Sequence, residues 1–517
     1  MNGAHALLGT LRINEVTVVF ANPGTSEMHF VAALDDVTDV RGVLCLFEGV
    51  ATGAADGYAR VTGRPAATLL HLGPGLANGW ANLHNARRAR VPLLNVVGDH
   101  ATYHAQYDAP LQSDMAAVAG ALNGTFARPT HPDDVPAAAA GAIAAAFGPP
   151  ARVSTLALPA DVSWGELTQP VATWPRANIT RPYAVNADLV DYAAQRLRTT
   201  RTALFLGGGA TGAAQLALAQ RVGASANARV IVETFPVAMD RGRGVVHPER
   251  LIYLSEFAAS QLEDLETLIL VGASEPVSFF AYPNLPSRLV ASGCEIVELA
   301  PPGVDTGDAL RAIVECLGSP PSVLADRGVP IAPTGELTAA SFADAVAATL
   351  PEGAIIADES NTSGLHLYAA TALAAPHRLL TLTGGAIGFG LPVAVGAAIG
   401  SSSRVLALES DGSLLYTVQA LWTMAREALD VTVVILANRR YAILDFERRR
   451  VGASPAGASS QRLIDLDDPD IDFVSVARGF GVPAVRATTA DELVEALRHS
   501  YRTAGPFVIE VPLPSVI

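Results

Sequence analysis

Cysteine is scarce in this sequence, in which Cys45, Cys294 and Cys316 are the only three among 517 residues. Three cysteines are too few for a disulfide framework, and their spacing does not match that of cysteine-based metal sites. A chain without structural disulfides is typical of a reducing compartment. We therefore expect a cytoplasmic protein whose stability depends on its hydrophobic core.

An excess of positive charge is also absent. Lys and Arg number 35 against 50 Asp and Glu, which gives a net charge of −15. Such an acidic balance argues against nucleic acid or an anionic membrane as the main partner. No apolar run approaches the ~20 residues of a membrane span, and residues 1–12 lack the basic and apolar regions of a secretion signal. We predict no nucleic-acid partner and no membrane partner.

Short β-branched and aliphatic runs alternate with Ala-rich stretches along the whole chain. This alternation predicts parallel sheets covered by helices. At ~150 residues per domain, the length suggests about three domains. We therefore predict the α/β class, with three doubly wound parallel-sheet domains. The predicted strands are 16–20, 42–47, 67–70, 92–97, 155–158, 202–206, 229–232, 268–271, 295–299, 354–357, 378–381, 405–408, 431–436 and 507–511.

Two proline-containing, irregular stretches divide the chain. The first is 169–182, and the second is 318–333, which contains Gly, Ser and several Pro residues. They predict domains at 1–170, 186–318 and 336–517.

The most informative motif is Asp411-Gly412-Ser413 after one predicted strand, with Asn438 after the next. The carboxyl ends of strands in an open α/β sheet form its ligand-binding edge. A carboxylate and a carboxamide oxygen there suit a hard cation such as Mg²⁺, which usually keeps phosphate oxygens as further ligands. The amides of Gly412 and Ser413, at the start of a predicted helix (414–425), would face the same phosphates. The alternative is a tight turn followed by an ordinary strand-terminal Asn.

This Asp-Gly-Ser, with Asn 27 residues after the Asp, resembles the thiamin-diphosphate signature of the 2-oxo-acid decarboxylase and acetolactate synthase family. The resemblance implies a Mg²⁺ site formed by Asp411, Asn438 and the backbone carbonyl of Arg440. Ser410 stands where the family usually has Gly, and Ala437 stands where it often has a second Asn. Neither departure changes a ligand.

A second motif of the chain is Glu48 followed by Asp56-Gly57-Tyr58-Ala59-Arg60, and it is similar to a segment of the same family. The resemblance implies that Glu48 is catalytic: it hydrogen-bonds the aminopyrimidine ring of the cofactor and helps to generate the imino tautomer that removes the thiazolium C2 proton. The alternative is an ordinary Glu at a helix N-terminus, where the helix dipole favours it.

Further cofactor contacts are implied by the glycine-rich segment 383–392 and by the segment 358–363. By resemblance, Ile387 is the wedge that bends the cofactor, and the carbonyl of Gly385 accepts from its aminopyrimidine amine. The alternative for the glycine-rich segment is a closely packed turn. The implied cofactor-binding residues are Gly385, Ile387, Asn361, Thr362, Asp411, Gly412, Ser413, Asn438, Tyr441 and Ile443.

Ser26 and His71 follow two predicted strands and resemble the catalytic Ser and His of benzoylformate decarboxylases. There the Ser contacts the substrate carboxylate and the His shuttles protons, a task suited to an imidazole. The alternatives are a helix N-cap for Ser26 and a structural role for His71. The predicted substrate pocket is formed by Leu111, Phe280, Leu444 and Glu447, a mostly apolar wall that favours an aromatic or aliphatic 2-oxo acid.

The second active-site His of those decarboxylases has no counterpart here, since the matching stretch 275–283 contains no His and has Phe280 or a neighbour at that place. Another donor, such as His100 or His104, or a carbonyl acceptor would then capture the intermediate. Two reactions stay open: non-oxidative decarboxylation of a 2-oxo acid, with or without carboligation, and acetolactate synthase-like carboligation.

Other classes also stay open. A flavin or nicotinamide oxidoreductase would use the glycine-rich turn 207–212, but we find no acidic ribose ligand after it at the proper spacing and expect no FAD. A non-catalytic relative would bind the cofactor without turning over a substrate.

In the resembled family, the active site lies between two chains, which implies a homodimer or homotetramer acting on a small-molecule 2-oxo acid.

Overall fold

The computed structural model describes residues 1–320 and 328–515, and it contains three sheets of mainly parallel strands with helices packed against them. This arrangement confirms the predicted α/β class with three parallel-sheet domains. Residues 321–327 of the predicted second linker lie outside the described residues.

The first sheet has six strands, all parallel. The strands are β1 (Val18–Asn22), β2 (Arg41–Leu44), β3 (Ala67–Leu70), β4 (Leu93–Asp99), β5 (Thr125–Ala127) and β6 (Val153–Pro159). The helices are α1 (Gly3–Ile13), α2 (Met28–Ala33), α3 (Glu48–Thr62), α4 (Leu72–Asn78), α5 (Trp80–Ala89), α6 (Met115–Gly120), α7 (Val135–Phe147) and α8 (Ala160–Trp164). The spatial order is β2-β1-β3-β4-β6-β5. All residues of β4 and β6 are buried, as expected for strands covered on both faces.

The central part of the chain forms a five-stranded parallel sheet. The elements in this part of the chain are β7 (Thr202–Leu206), β8 (Arg229–Val232), β9 (Ala238–Arg241), β10 (Glu249–Arg250), β11 (Thr267–Val271), β12 (Glu295–Ala300), α9 (Ala187–Thr199), α10 (Ala213–Ala226), α11 (Ser255–Leu262) and α12 (Thr306–Leu317). The spatial order is β10-β8-β7-β11-β12, so β9 belongs to another sheet.

The third sheet has seven strands. Its elements are β13 (Ala354–Glu359), β14 (His377–Thr381), β15 (Val405–Ser410), β16 (Val431–Ala437), β17 (Ala484–Arg486), β18 (Phe507–Pro512), α13 (Ala339–Thr349), α14 (Leu367–Ala370), α15 (Gly390–Gly400), α16 (Asp411–Leu414), α17 (Ala420–Arg426), α18 (Ala442–Arg450), α19 (Ala458–Gln461), α20 (Phe473–Gly479) and α21 (Ala490–Arg502). The spatial order is β17-β18-β16-β15-β13-β14-β9. The edge strand β9 comes from the central part of the chain and is antiparallel to β14.

The first and third domains meet where α3 packs along α15. A Cβ atom on Gly57 would lie 2.2 Å from the carbonyl oxygen of Val393, and one on Gly396 would lie 1.8 Å from that of Ala54. Because real Cβ atoms do not approach backbone so closely, these two glycines allow the helix backbones to touch.

The side chain of Arg60 fastens the same contact. It donates to both carboxylate oxygens of Asp56 at 2.8 Å, to the carbonyls of Thr381 at 2.7 Å and Val237 at 3.0 Å, and to Thr383 Oγ1 at 3.0 Å. Arg60 is 4% exposed and Asp56 is fully buried. The Asp-Gly-Tyr-Ala-Arg segment therefore forms a clamp between elements of the chain that are distant in sequence.

One predicted helix is wrong. The stretch 414–425 is not a single helix, because α16 ends at Leu414 and α17 begins at Ala420. Between them, the buried Thr417 donates its hydroxyl to the carbonyl of Gly388 at 3.1 Å. Packing against the glycine-rich loop thus interrupts the helix. Among the described residues, no helix combines the length and apolar character needed to cross a membrane.

Candidate functional site

The two predicted metal-ligand side chains lie at the same edge of the third sheet. Asp411 directly follows β15, and Asn438 directly follows β16, its parallel neighbour. The Oδ2 atom of Asp411 accepts from the backbone N–H of Arg439 at 2.6 Å, and Asn438 Oδ1 accepts from the N–H of Arg440 at 3.1 Å. These bonds hold the chain that follows β16 against the carboxylate that follows β15.

The chemistry of this edge fits a divalent cation. Asp411 is 1% exposed, and burial raises the pKa of its carboxyl, although the amides of Arg439 and Gly412 donate to it. The two backbone amides that donate to this buried carboxylate carry no net charge, so a cation beside it would neutralise the negative charge. Together with the carboxamide oxygen of Asn438 it forms the hard oxygen set that Mg²⁺ prefers.

A hydroxyl and amide network lies beside this edge. Asn361 begins a 3₁₀ turn after β13 with φ of +48°, a conformation that Asn tolerates. Its Nδ2 donates to Ser410 Oγ at 2.6 Å and to Ser413 Oγ at 2.9 Å. Ser410, the departure from the usual Gly, is therefore part of the network. Thr362 occupies the next position of the same turn.

Gly412 is required by a close aromatic contact. A Cβ atom at this position would lie 2.4 Å from Cε1 of Tyr441. The backbone N–H of Tyr441 donates to the carbonyl of Ile464 at 2.8 Å, which fixes the start of α18. Burial raises the pKa of the Tyr441 hydroxyl. Ile443 lies in the first turn of α18.

Two asparagines of α5 hold the glycine-rich loop on both sides of Ile387. Asn85 accepts from the N–H of Ala386 at 3.2 Å and donates to its carbonyl at 2.8 Å. Asn82 donates to the carbonyl of Gly388 at 3.0 Å. Both asparagines are buried. The predicted wedge residue is thus set between two positions whose backbone is bonded to the first domain.

Glu359 fixes the other end of this loop. Its carboxylate accepts from the backbone N–H groups of Gly388, Phe389 and Gly390 at 2.9, 2.8 and 2.7 Å. Glu409 lies opposite it on β15 and is fully buried. Burial and the charge of Glu359 raise the pKa of Glu409 well above its usual range. Burial also raises the pKa of Glu359, to about 7, but its three amide donors favour the charged form, so we expect a proton shared by the pair to lie on Glu409.

At the carboxyl edge of the first sheet, Glu48 is the first residue of α3 and is 9% exposed. Asn78 Nδ2 donates to its Oε2 at 3.1 Å. A Cβ atom on Gly75 would lie 3.3 Å from its Oε1, so α4 passes close to the carboxylate. The hydrogen-bond partner of Glu48 lies in the first domain, and the partners of Asp411 lie in the third domain.

His71 follows β3 at the same edge and pairs with Glu27. Its Nδ1 lies 2.8 Å from Glu27 Oε2, which also accepts from the N–H of Gly24 at 2.7 Å. Glu27 is 2% exposed, and burial raises the pKa of its carboxyl. Ser26 lies in a 3₁₀ turn before α2, not in the first turn of the helix, and its side chain makes no capping bond.

The predicted substrate-pocket residues are spread over three elements. Leu111 is 39% exposed in a loop whose Ser113 packs on the turn after His71, since a Cβ atom on Gly73 would lie 2.3 Å from Ser113 Oγ. Leu444 on α18 is 49% exposed. Glu447, also on α18, accepts from Arg450 Nη1 at 3.0 Å, and burial and this nearby carboxylate raise the pKa of the Tyr282 hydroxyl.

Phe280 is 54% exposed and contacts the ring of Phe279 with a centroid distance of 5.6 Å. Phe279 is the ring that contacts the glycine-rich loop. A Cβ atom on Gly385, whose φ is +74°, would lie 2.9 Å from Phe279 Cε1 and Cζ.

Comparison with known proteins shows which family the chain belongs to. The family "Thiamine pyrophosphate enzyme, N-terminal TPP binding domain" matches residues 1–120, and the family "Thiamine pyrophosphate enzyme, C-terminal TPP binding domain" matches residues 362–511. A Mycobacterium tuberculosis protein provisionally named acetolactate synthase large subunit IlvX is 53% identical over 100% of both chains. The chain belongs to the thiamine pyrophosphate enzyme family.

Other similar members of this family differ in the reaction that their names state. Benzoylformate decarboxylase of Pseudomonas aeruginosa is 30% identical over 98% of both chains. The solved structure of a thiamine diphosphate-dependent 4-hydroxybenzoylformate decarboxylase from Rhodococcus jostii RHA1 has a TM-score of 0.85 and 24% identity over 99% of both chains, which shows the shared fold. The chain is thus a thiamine pyrophosphate-dependent enzyme of the acetolactate synthase and benzoylformate decarboxylase group.

Sequence reasoning missed several residues of this thiamine pyrophosphate enzyme. Glu27 closely follows the Pro-Gly turn after β1, where the sequence equally favours a Glu that caps the next helix and a Glu that belongs to the site. Asn82 and Asn85 lie three residues apart on α5 and so share a face, but their partners are about 300 residues away. For Glu359 and Glu409, the available signal was two acidic residues ending adjacent apolar strands.

An acidic residue lies near the glycine-rich turn of the central sheet. Glu233 directly follows β8 and accepts from the N–H of Gly208 at 3.3 Å, and burial raises its pKa to about 7. Asp240 Oδ2 accepts from the N–H of Ala213, the first residue of α10, at 2.9 Å. Two backbone amides of this turn and of the helix after it thus donate to carboxylates of the chain.

Proposed function

We propose that this chain is a thiamin diphosphate- and Mg²⁺-dependent C–C bond lyase whose reaction is the non-oxidative decarboxylation of a 2-oxo acid. The observation that carries the proposal is the joining of Asp411 and the segment after Asn438 by the 2.6 Å bond to the Arg439 amide. The family supplies the cofactor class, and this edge supplies the oxygen ligands for its metal.

The residues of the third domain would hold the cofactor by its diphosphate. Asp411, Asn438 and the carbonyl of Arg440 would bind Mg²⁺. Gly412, Ser413, Asn361 and Thr362 would surround the phosphates; Gly385, Ile387, Tyr441 and Ile443 would contact the rings. When bound, thiamin diphosphate supplies a carbon nucleophile and an electron sink. The protein's task is then to bind, to orient and to move protons.

The first domain would supply the acid–base groups. Glu48 is nearly buried and has a single described hydrogen-bond donor, Asn78, so it can accept a further bond from a ring nitrogen. His71 would donate or accept a proton at Nε2, because Nδ1 is held by Glu27. Ser26 is proposed as the contact for the substrate carboxylate.

We further propose that the active sites lie between two chains of a homodimer, or of a pair of dimers. Four large apolar side chains near the carboxyl edge of the third sheet are strongly exposed in the single chain: Leu365, Tyr416, Leu444 and Leu463. Exposed apolar side chains grouped at an edge are typical of an interface. Analytical ultracentrifugation tests this point, and a fully active monomer would contradict it.

Acetolactate synthase-like carboligation is the second candidate, and the 53% identical relative with that name favours it. The test is to supply thiamin diphosphate and Mg²⁺, to screen 2-oxo acids with and without an aldehyde acceptor, and to identify the products. An aldehyde and CO₂ as the only products support decarboxylation, and a 2-hydroxy ketone or 2-hydroxy-2-alkyl-3-oxo acid supports carboligation. The melting temperature should rise with the cofactor only when Mg²⁺ is present. The absence of any rise would count against the whole proposal.

A further inference from the structure

Helix α18 carries residues of the proposed site but has little apolar packing of its own. Ile443 is proposed as a cofactor contact, and Leu444 and Glu447 are predicted pocket residues. One of the nine residues of α18, Ala442, is buried. Because most helices of a protein are stabilised by packing of an apolar face, the position of this helix depends more on polar contacts.

The N-terminal end of α18 is fixed within the third domain. The backbone N–H of Tyr441, which precedes the helix, donates to the carbonyl of Ile464 at 2.8 Å. The Tyr441 ring lies against Gly412. A helix that is held at one end can tilt about that end, so the position of α18 also depends on what its C-terminal end contacts.

Three consecutive arginines form that C-terminal end, and their side chains bond in different directions. Arg448 and Arg449 donate to Asp445 of the same helix at 2.6 and 3.1 Å. Arg450 instead reaches the central domain and donates to Glu256, in the first turn of α11, at 2.5 Å. Arg450 is thus the member of this run that links α18 to another domain.

Further contacts make Arg450 a bridge between the two domains. Its Nη2 also donates to Ser255 Oγ at 3.1 Å, and its guanidinium carbon lies 3.7 Å from the centroid of the Tyr282 ring. On its own helix, its Nη1 donates to Glu447 at 3.0 Å. The Arg450 side chain is 10% exposed, so solvent screens these charge-assisted bonds less than it would on an open surface. We call the contacts of Arg450 with Glu256, Ser255, Tyr282 and Glu447 the arginine clamp.

We propose that Arg450 is a positioning residue: through the arginine clamp, the central domain sets where α18 holds Glu447 and Leu444 in the substrate pocket. The inference rests on the proposed function. Arg450 acts on Glu447 directly, since it donates to this carboxylate and balances its charge. It acts on Leu444 through the tilt of the helix, because residues three apart share a helix face. A loosened clamp would displace this wall without touching Glu48 or His71 of the first domain.

The first test compares the local stability of α18 in Arg450→Ala and in Arg449→Ala, its neighbour on the same helix. In the full chain without cofactor, amide hydrogen exchange within residues 444–450 should be roughly 10-fold faster in Arg450→Ala, because local opening exposes the amides. Arg449→Ala is the matched control, since its carboxylate partner, Asp445, lies on α18 itself. It should leave the exchange unchanged.

The second test separates KM from kcat with thiamin diphosphate and Mg²⁺. The substrate is phenylglyoxylate or pyruvate, whichever the wild-type protein turns over faster. KM should rise roughly 10-fold in Arg450→Ala and kcat should fall by less than about 3-fold, because a misplaced wall weakens binding while the acid–base groups stay in place. Arg449→Ala should change neither constant.

Two variants test the clamp from other sides. Glu256→Gln, in the central domain, should raise the same KM, and it should add little in the Arg450→Ala background, because both changes remove one bond. Arg450→Lys should restore part of the loss, since Lys keeps the charge but lacks the fork that binds two carboxylates. If Arg450→Ala does not fold, Glu256→Gln and Arg450→Lys carry the comparison with Arg449→Ala.

Several results would overturn the inference. They are exchange and KM in Arg450→Ala that match those of Arg449→Ala, fully multiplicative effects of Arg450→Ala and Glu256→Gln on KM, or a loss confined to kcat. Failure of the proposed function looks different. The wild-type protein would then show neither turnover of any 2-oxo acid nor the cofactor-dependent rise in melting temperature, while the difference in exchange between the two arginine variants would persist.

Discussion

Replacing Glu359 by Gln tests the assignment of charge within the buried Glu359–Glu409 pair. Glu359 accepts three backbone N–H bonds from residues 388–390 with two carboxylate oxygens, at distances of 2.7 to 2.9 Å. Gln has one acceptor oxygen and an NH₂ group that would face at least one N–H. An unsatisfied buried donor costs about 1–3 kcal/mol, and the two surviving bonds lose about 1 kcal/mol each when the acceptor becomes neutral. The total is at least about 3 kcal/mol.

The assay is thermal unfolding of the full chain without cofactor. For a domain of this size, a loss of about 3 kcal/mol corresponds to a fall in melting temperature of roughly 6–12 °C. Glu409→Gln should change stability by less than about 1 kcal/mol, because Gln is a neutral isostere of a protonated Glu that can still donate to Glu359. Glu352→Gln is the matched control: Glu352 is an exposed residue of the same domain, and such changes usually stay within about 0.5 kcal/mol.

The asymmetry between the two variants is the decisive result. Equal falls for Glu359→Gln and Glu409→Gln would show that the charge is shared. A melting temperature for Glu359→Gln that matches that of the Glu352→Gln control would refute the claim that the three amide bonds carry the loop.

Three further predictions concern the cofactor edge and the clamp between domains. Asp411→Ala should abolish the Mg²⁺-dependent rise in melting temperature caused by thiamin diphosphate, because it removes the only charged ligand proposed for the metal; an unchanged rise would displace the metal site. Glu48→Gln should lower kcat by roughly 10²- to 10⁴-fold while this rise persists, and full activity would remove Glu48 from its role. Arg60→Ala should destabilise the apo chain by about 3–5 kcal/mol, since it strands the buried Asp56 carboxylate; the double variant with Asp56→Asn should recover part of that loss, and no recovery would mean that the inter-domain bonds of Arg60 dominate.

The long buried strands were predictable because a parallel sheet covered on both faces requires continuous apolar runs, whereas the short strands β5, β10 and β17 were not predicted. All seven residues of β16 are buried, and the predicted strand 431–436 differs from it by a single residue. The edge strand β9 was missed for the opposite reason. Its four residues, Ala238–Arg241, include a buried Arg and a partly exposed Asp, so the sequence has no apolar run that would predict a strand there. Its pairing with β14 depends on a contact more than 100 residues away.

The candidate site was predictable where a residue type alone carries the chemistry, as with Asp411 and Asn438 at two strand ends. It was not predictable where side chains support backbone. The break between α16 and α17 contains neither Gly nor Pro and follows from the bond of Thr417 to Gly388. Asn82 gives no local signal either, because its partner oxygens belong to Gly49 and Gly388, on two different domains.

Asn82 also links the two ends of the proposed chemistry within one chain. Its Nδ2 donates to the carbonyl of Gly49, next to Glu48, at 2.9 Å and to that of Gly388, next to Ile387, at 3.0 Å. If active sites lie between chains, Glu48 and Ile387 of one chain serve two different sites of the dimer. Asn82 therefore holds backbone beside a residue of each proposed site, and the glycine contacts of α3 with α15 show that these two helices pack closely.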